Sequence, residues 1–300
     1  MCSITMRHLT VDEVIALAVR AELAGLEWGA DGHVPPGELA VADRVAWRCA
    51  DAGVAVTSYG TYLGIAPFDD PDSPPDELAA ALDSAEALGA PLVRVWTAFG
   101  TESDSPAADR AAVMATTSAI VEAAAMRGLG VALEFHPGTL THSAAGARTL
   151  LADCATRVGT ARGGASINGV PPSGATGDWA EPFLRTHWQP DPALTPAEAL
   201  AELEAVADSL AYLHVFAWGP GGIAERYPLA AAAELWRPAL AVAAEAPPLT
   251  LDPGTRSAGR PLERYALLEY VVDDDPEQLV ADAATLNAWI STIVSERGRS

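Results

Sequence analysis

The sequence has no lysine. All 18 basic residues are arginine, set against 40 aspartates and glutamates, and the formal charge is −22 at pH 7. So acidic a chain repels polyanions, which argues against nucleic acid as a partner. Without a lysine amine there is no Schiff-base chemistry and no lysine-held pyridoxal phosphate. Cysteine is scarce. Cys2, Cys49 and Cys154 are odd in number, far apart and form no CxxC, so reduced buried thiols are expected rather than a disulfide framework or a cysteine zinc site. No apolar run approaches the roughly 20 residues of a membrane span. Met1 to His8 lacks the apolar stretch of a signal peptide, and the expected compartment is the cytoplasm.

What is present is an alternation. Half of the 300 residues are hydrophobic, and the length suits one α/β barrel, which needs about 250 residues. Short apolar runs read as strands at Ser3–Met6, Leu26–Trp28, Val54–Ser58, Leu92–Trp96, Val131–His136, Arg185–Pro190, Ala211–Trp218 and Tyr265–Val272. Helical spacing separates them at Val11–Ala24, Leu39–Ala52, Asp76–Leu88, Ala107–Arg127, Ala144–Ala155, Thr195–Ser209, Leu229–Glu245 and Asp275–Val294. Thr10 with Glu13 has capping-box spacing, and Gly25 and Gly53 close the first two helices. Eight strand–helix units predict a parallel sheet closed as a single (β/α)8 TIM barrel over residues 1–300. No GxGxxG follows the first strand, which weighs against an open doubly wound sheet. A Gly/Pro-rich stretch at about 157–186 reads as a loop insertion within that one domain.

Polar residues interrupt the late strands. They are Glu134 on the fifth, Gln189 on the sixth, His214 on the seventh and Glu269 on the eighth. In a barrel the carboxyl ends of neighbouring strands converge on one mouth. Two carboxylates, an imidazole and an amide carbonyl form a mixed N/O set that suits Mn²⁺, Mg²⁺, Co²⁺ or Zn²⁺. His136 stands two residues beyond Glu134, on the same strand face. His142 and His187 read as exposed loop residues.

Several segments carry a resemblance: Glu27-Trp-Gly-Ala-Asp-Gly-His-Val-Pro35, Ser58-Tyr-Gly-Thr-Tyr62, Glu134-Phe-His-Pro-Gly-Thr-Leu-Thr141, Trp188-Gln-Pro190, His214-Val-Phe-Ala-Trp218 and Leu268-Glu-Tyr270. Across nearly the whole chain they resemble the sugar phosphate isomerase/epimerase family, with its xylose isomerase-like barrel. The resemblance implies one divalent metal ion held by Glu134, His214 and Glu269, with Gln189 standing where the family has an aspartate. It implies a small carbohydrate or polyol-derived substrate, with Glu134 and Glu269 also serving as the acid/base pair and His136 assisting. Trp28, His33, Trp96 and Trp218 are expected to line the mouth. Arg94 and Arg226 are candidates for a substrate anion, though no strong phosphate cradle is legible. Family members are often dimers or tetramers, so a homo-oligomer is open.

Three other outcomes use the same barrel. A lyase or dehydratase begins with the same proton abstraction. A related endonuclease needs several zinc ions and many more ligands than six histidines and this charge provide. A non-catalytic barrel or subunit that binds a small molecule or a partner is favoured if Gln189 prevents metal retention.

Overall fold

The structure, a computed structural model, describes residues 1–161, 183–251 and 261–298. Seven parallel strands lie in the order β1 (Gly25–Gly29), β2 (Ala55–Gly60), β3 (Leu92–Val95), β4 (Gly130–Glu134), β5 (Leu184–Trp188), β6 (Leu210–Val215) and β11 (Ala266–Leu268). Between β6 and β11 in sequence stand two small antiparallel pairs, β7 (Trp218–Gly219) with β8 (Gly222–Arg226) and β9 (Leu249–Thr250) with β10 (Pro261–Leu262). The ring is completed by Met1 and Cys2. Cys2 N–H donates to Leu268 O at 2.9 Å on one side, and Glu27 N–H donates to Met1 O at 3.0 Å on the other. An eight-stave α/β barrel results, the closed architecture expected from eight strand–helix units.

The expected first strand is two residues too late. Ser3–Met6 is a 3₁₀ turn. The reason lies in its hydroxyls: Ser3 Oγ accepts from Gly29 N–H at 2.9 Å and Thr5 Oγ1 accepts from Tyr270 N–H at 3.1 Å. Such side chains compete with a ladder for backbone groups. Two further strands are shorter than expected. β6 stops at Val215, because Trp218 enters the β7/β8 hairpin. β11 stops at Leu268, because Tyr270 adopts a left-handed φ of 48° that ends the extended run.

Among the described residues the helices are α1 (Val11–Arg20), α2 (Leu39–Ala52), α3 (Asp76–Leu88), α4 (Ala107–Met126), α5 (Ala144–Ala161), α6 (Pro196–Val206), α7 (Ala233–Glu245) and α8 (Pro276–Arg297). Thr10 and Glu13 form the capping box read from the sequence, and Thr195 with Glu198 forms a second. No described helix is long and apolar enough to cross a membrane. The expected loop insertion at 157–186 begins later and ends earlier, since α5 reaches Ala161 and β5 starts at Leu184; residues 162–182 lie outside the described residues.

Two apolar regions hold the barrel. The larger fills the layer between strands and helices, with Val93, Val95, Leu133, Trp188 and Trp236 among its buried side chains. The smaller plugs the barrel from inside and includes Cys2, Leu92, Ala132, Tyr212 and Leu267. Side chains alternate along a strand, so the residue two further on shares the inner face. Two beyond Leu92, Ala132, Tyr212 and Leu267 stand Arg94, Glu134, His214 and Glu269. The apolar floor is thus followed, one layer toward the carboxyl ends, by a layer of ionisable groups.

Candidate active site

Buried carboxylates must be paired, protonated or bound to a cation. The inner layer holds three: Glu27 from β1, Glu134 from the end of β4 and Glu269 just past β11, each at most 4 % exposed. One guanidinium lies among them. Arg94 Nη1 is 2.8 Å from Glu134 Oε2, and its Nε is 3.5 Å from Glu27 Oε1. Ser58 Oγ–H adds a hydrogen bond to Glu27 Oε2 at 2.7 Å. Burial alone would raise the Glu27 pKa, but Arg94, His214 and His187 bring it well below the usual carboxylate range.

His214 is the hub. Its Nε2 is 3.4 Å from Glu27 Oε1, and its Nδ1 is 3.5 Å from Glu269 Oε2 and 3.9 Å from Glu134 Oε1. Burial disfavours the imidazolium, yet Cys2, Glu269 and Glu27 offset that and hold its pKa well above the ordinary value. His187 packs against it with the rings tilted at 54°, their centres 3.9 Å apart. Burial, with the cations nearby, keeps the His187 pKa well below normal, so that ring is neutral. Glu269 is pushed up to about 7, first by burial and then by Glu134 and Glu27, against the pull of His214 and Arg94.

Backbone shape makes room for this layer. A Cβ on Gly60 would lie 2.7 Å from Arg94 Nη2 and 2.9 Å from Glu27 Oε1. Gly60→Ala is therefore expected to destabilise the protein by about 1–3 kcal/mol through overpacking, read as a lower urea midpoint with an unchanged slope.

The four residues expected to form a ligand set do gather here. Gln189, however, turns its amide nitrogen toward the others: Nε2–H donates to Glu134 Oε1 at 3.1 Å and to Phe135 O at 2.7 Å, while Oε1 is buried without a partner. His136 sits on the rim above Glu134, its ring 4.5 Å from Trp96 and 4.9 Å from Phe99. Tyr62 stacks on Trp96 at 6.3 Å, and Arg94 lies 5.6 Å beneath the Trp96 ring. This is an aromatic wall on one side of the mouth. Trp218 stands on another side, stacked on Phe216 at 3.8 Å and beside Tyr270 at 5.9 Å. Arg226 is tied to that side too, donating to Val271 O at 3.0 Å and pairing with Asp274, so its charge is already matched.

Trp28 and His33 are not brought to the layer. Trp28 belongs to the apolar region between strands and helices, edge-on to His33 at 5.6 Å. His33 bridges Ser3 Oγ and Leu9 O, both at 3.1 Å. His187, read as an exposed loop residue, is fully buried on β5. Glu27, Arg94, His187 and Cys2 are inner-layer groups that the sequence did not mark as ligands or acid/base residues. The signal was there for two of them: a charge centred in Leu92-Val-Arg-Val95 and an imidazole in Leu184-Arg-Thr-His-Trp188 interrupt apolar runs just as Glu134 does.

A family model described as xylose isomerase-like TIM barrel matches residues 15–160, just under half of the chain. The chain has the xylose isomerase-like TIM-barrel fold. Solved structures match it nearly end to end. The probable 3-DHS dehydratase AsbF from Bacillus anthracis is 16% identical, with 96% of this chain and 97% of that one covered and a TM-score of 0.63. An L-ribulose 3-epimerase is 14% identical, with 99% and 96% covered and a TM-score of 0.60. A xylose isomerase-like TIM barrel protein from Mycobacterium smegmatis, in complex with magnesium, is 12% identical, with 96% and 91% covered and a TM-score of 0.59. Identities this low establish the fold, which agrees with the resemblance read from the sequence. No curated protein matches the chain.

Proposed function

We propose that this protein is a divalent-metal-dependent isomerase or epimerase of a sugar or polyol-derived ketone. The observation that carries the reading is the pair Glu134 and Glu269, two buried carboxylates that both face His214 Nδ1, at 3.9 and 3.5 Å. Two carboxylates on one enclosed space suit an acid and a base that remove and return a proton.

The residues fit a cation by their own deficits. His214 is wholly buried and neither ring nitrogen completes a hydrogen bond. The layer's carboxylates, Glu27, Glu134 and Glu269, outnumber its one guanidinium, Arg94, which favours a cation there. His214, Glu269 and Glu134 would hold it; Gln189, expected as a fourth ligand, is committed through its amide nitrogen to Glu134 Oε1 and Phe135 O, and turning the amide would set its oxygen against both acceptors. When bound, the ion would supply Lewis-acid polarisation of a carbonyl oxygen.

The chain's own groups do the rest. Glu269 can accept a proton from the carbon beside the carbonyl and return it. Glu134, anchored by Arg94 and Gln189, faces the same space and can serve the opposite face. His136 at the rim can hold a substrate hydroxyl. Trp96, Tyr62 and Phe99 offer ring faces to sugar C–H groups and shield the reacting carbon from water.

The test is proton exchange. Ketoses and polyol ketones are incubated in D₂O with the protein and Mg²⁺, Mn²⁺, Co²⁺ or Zn²⁺, and followed by NMR. Deuterium appearing at a carbon next to the carbonyl supports the reading, and an unsaturated product would instead assign a dehydratase. No exchange and no elimination with any metal would overturn it.

A further inference from the structure

The donors around His214 are not equally free. Both oxygens of Glu134 are engaged, one by Arg94 at 2.8 Å and one by the Gln189 amide at 3.1 Å. Glu27 is engaged by Ser58 and Arg94. Two groups of three donors are nonetheless compact enough for one ion, their donor atoms all within 4.8 Å of one another: Cys2, His214 and Glu269, and Glu27, His187 and His214. The second puts a cation beside a carboxylate that the Arg94 guanidinium already neutralises. In the first, among the described residues, Glu269 has no ion pair with a guanidinium; its partner is His214 itself, at 3.5 Å.

From this geometry we infer that Cys2 is a thiolate ligand, with His214 and Glu269, of the ion at this site, and that the site selects Zn²⁺ or Co²⁺ over Mg²⁺. The inference rests on the metal-dependent reading above and deepens it. Cys2 is wholly buried in the barrel, and its backbone is fixed as the eighth stave by the bonds of Cys2 N–H to Leu268 O and Glu27 N–H to Met1 O. Its sulfur is therefore placed by the ring closure and not by a mobile loop. His214, fully buried with unmatched ring nitrogens, is aimed into the same space. A sulfur donor beside one imidazole and one carboxylate shifts a site from hard cations that prefer all-oxygen shells toward zinc and cobalt. Binding releases the thiol proton and a His214 ring proton to solvent, so metal uptake is accompanied by acidification. Cys49 and Cys154 sit on α2 and α5 and serve as internal controls.

The experiment uses the full chain, stripped with a chelator and titrated with Co²⁺. The expected result is an intense sulfur-to-cobalt charge-transfer band in the near ultraviolet, present in wild type and in Cys49→Ser, absent in Cys2→Ser. In parallel, the Zn²⁺ affinity of Cys2→Ser should fall by more than the roughly 10–100-fold that loss of an outer partner costs. The wild-type spectrum decides the matter even if the variant folds poorly. Cobalt bound without that band would overturn the thiolate ligand and leave the metal-dependent reading intact. Mg²⁺ or Mn²⁺ bound without Co²⁺ or Zn²⁺ would overturn the thiolate ligand alone, and failure to bind any of the four ions would overturn both.

Discussion

Glu269→Gln is expected to reduce substrate proton exchange by about 10²–10⁴-fold, the contribution of a positioned general base, while making the metal-free protein more stable. The two effects have one cause. Burial, with Glu134 and Glu27 nearby, raises the Glu269 pKa from 4.5 to about 7. The folded protein therefore holds a proton there that the unfolded chain has lost, and stability falls as pH rises from about 4.5 to about 7. Above pH 7 the ionised carboxylate costs the fold on the order of 3 kcal/mol, because each tenfold change in proton affinity is worth about 1.4 kcal/mol. Glutamine has the same shape and no charge. The stability gap between variant and wild type should be near zero at pH 4.5, open through pH 7 and stay constant above. Urea titrations of chelator-treated protein at several pH values measure this, beside the exchange assay. A variant that keeps its exchange rate would remove Glu269 from the chemistry. One that loses activity together with stability would point to simple misfolding.

The second large effect is expected at Arg94. Arg94→Met fills similar space but strips the charge from a site facing Glu27 at 3.5 Å and Glu134 at 2.8 Å. Breaking a buried ion pair from one side typically costs about 3–5 kcal/mol, because the remaining charge stays buried without a partner. The pH dependence identifies the mechanism. In the wild type the Glu27 pKa is depressed, so the stability it contributes is present above the unfolded glutamate range and is lost as pH falls through the folded value. Without Arg94 only His214 and His187 still oppose the burial of Glu27, so the depression of its pKa shrinks and protonation relieves more of the buried charge as pH falls from 7 toward 5. The difference in melting temperature between wild type and Arg94→Met should therefore be largest at pH 7–8 and shrink on acidification. A difference that stays constant across that range would mean lost packing rather than an orphaned carboxylate.

Buried ionic layers seldom add stability over an apolar core of the same volume. Many barrels fill this position with branched aliphatic side chains. The layer here places three carboxylates, two imidazoles and a guanidinium in one enclosed space. That arrangement has a chemical use where an aliphatic layer has none.

The eight strand–helix units, the helix boundaries at Leu39–Ala52 and Asp76–Leu88, and the four polar interruptions Glu134, Gln189, His214 and Glu269 were all legible in the chain. Each is a local property: periodicity, a cap, or a polar group in an apolar run. The faces of β1 were not legible. Glu27 and Trp28 are neighbours, and one must point into the barrel and the other toward the helices. Trp28 was expected at the mouth, and the closed ring turns Glu27 inward instead. His187 was misplaced for a related reason, since its burial depends on where β5 sits between β4 and β6.

By itself, then, the sequence determined the alternation of elements, the acidic lysine-free composition and the polar residues at the strand ends, because these depend on residues close together in the chain. Only the tertiary structure decided that Cys2 closes the ring, that Arg94 pairs with Glu27 and Glu134, and that His214 is the centre of the layer. Those contacts reach from Arg94 to Glu134 and, at the longest, from Cys2 to Leu268 at the other end of the chain. They exist because eight staves must close at a common radius, which brings every inner face to one axis whatever the distance along the chain.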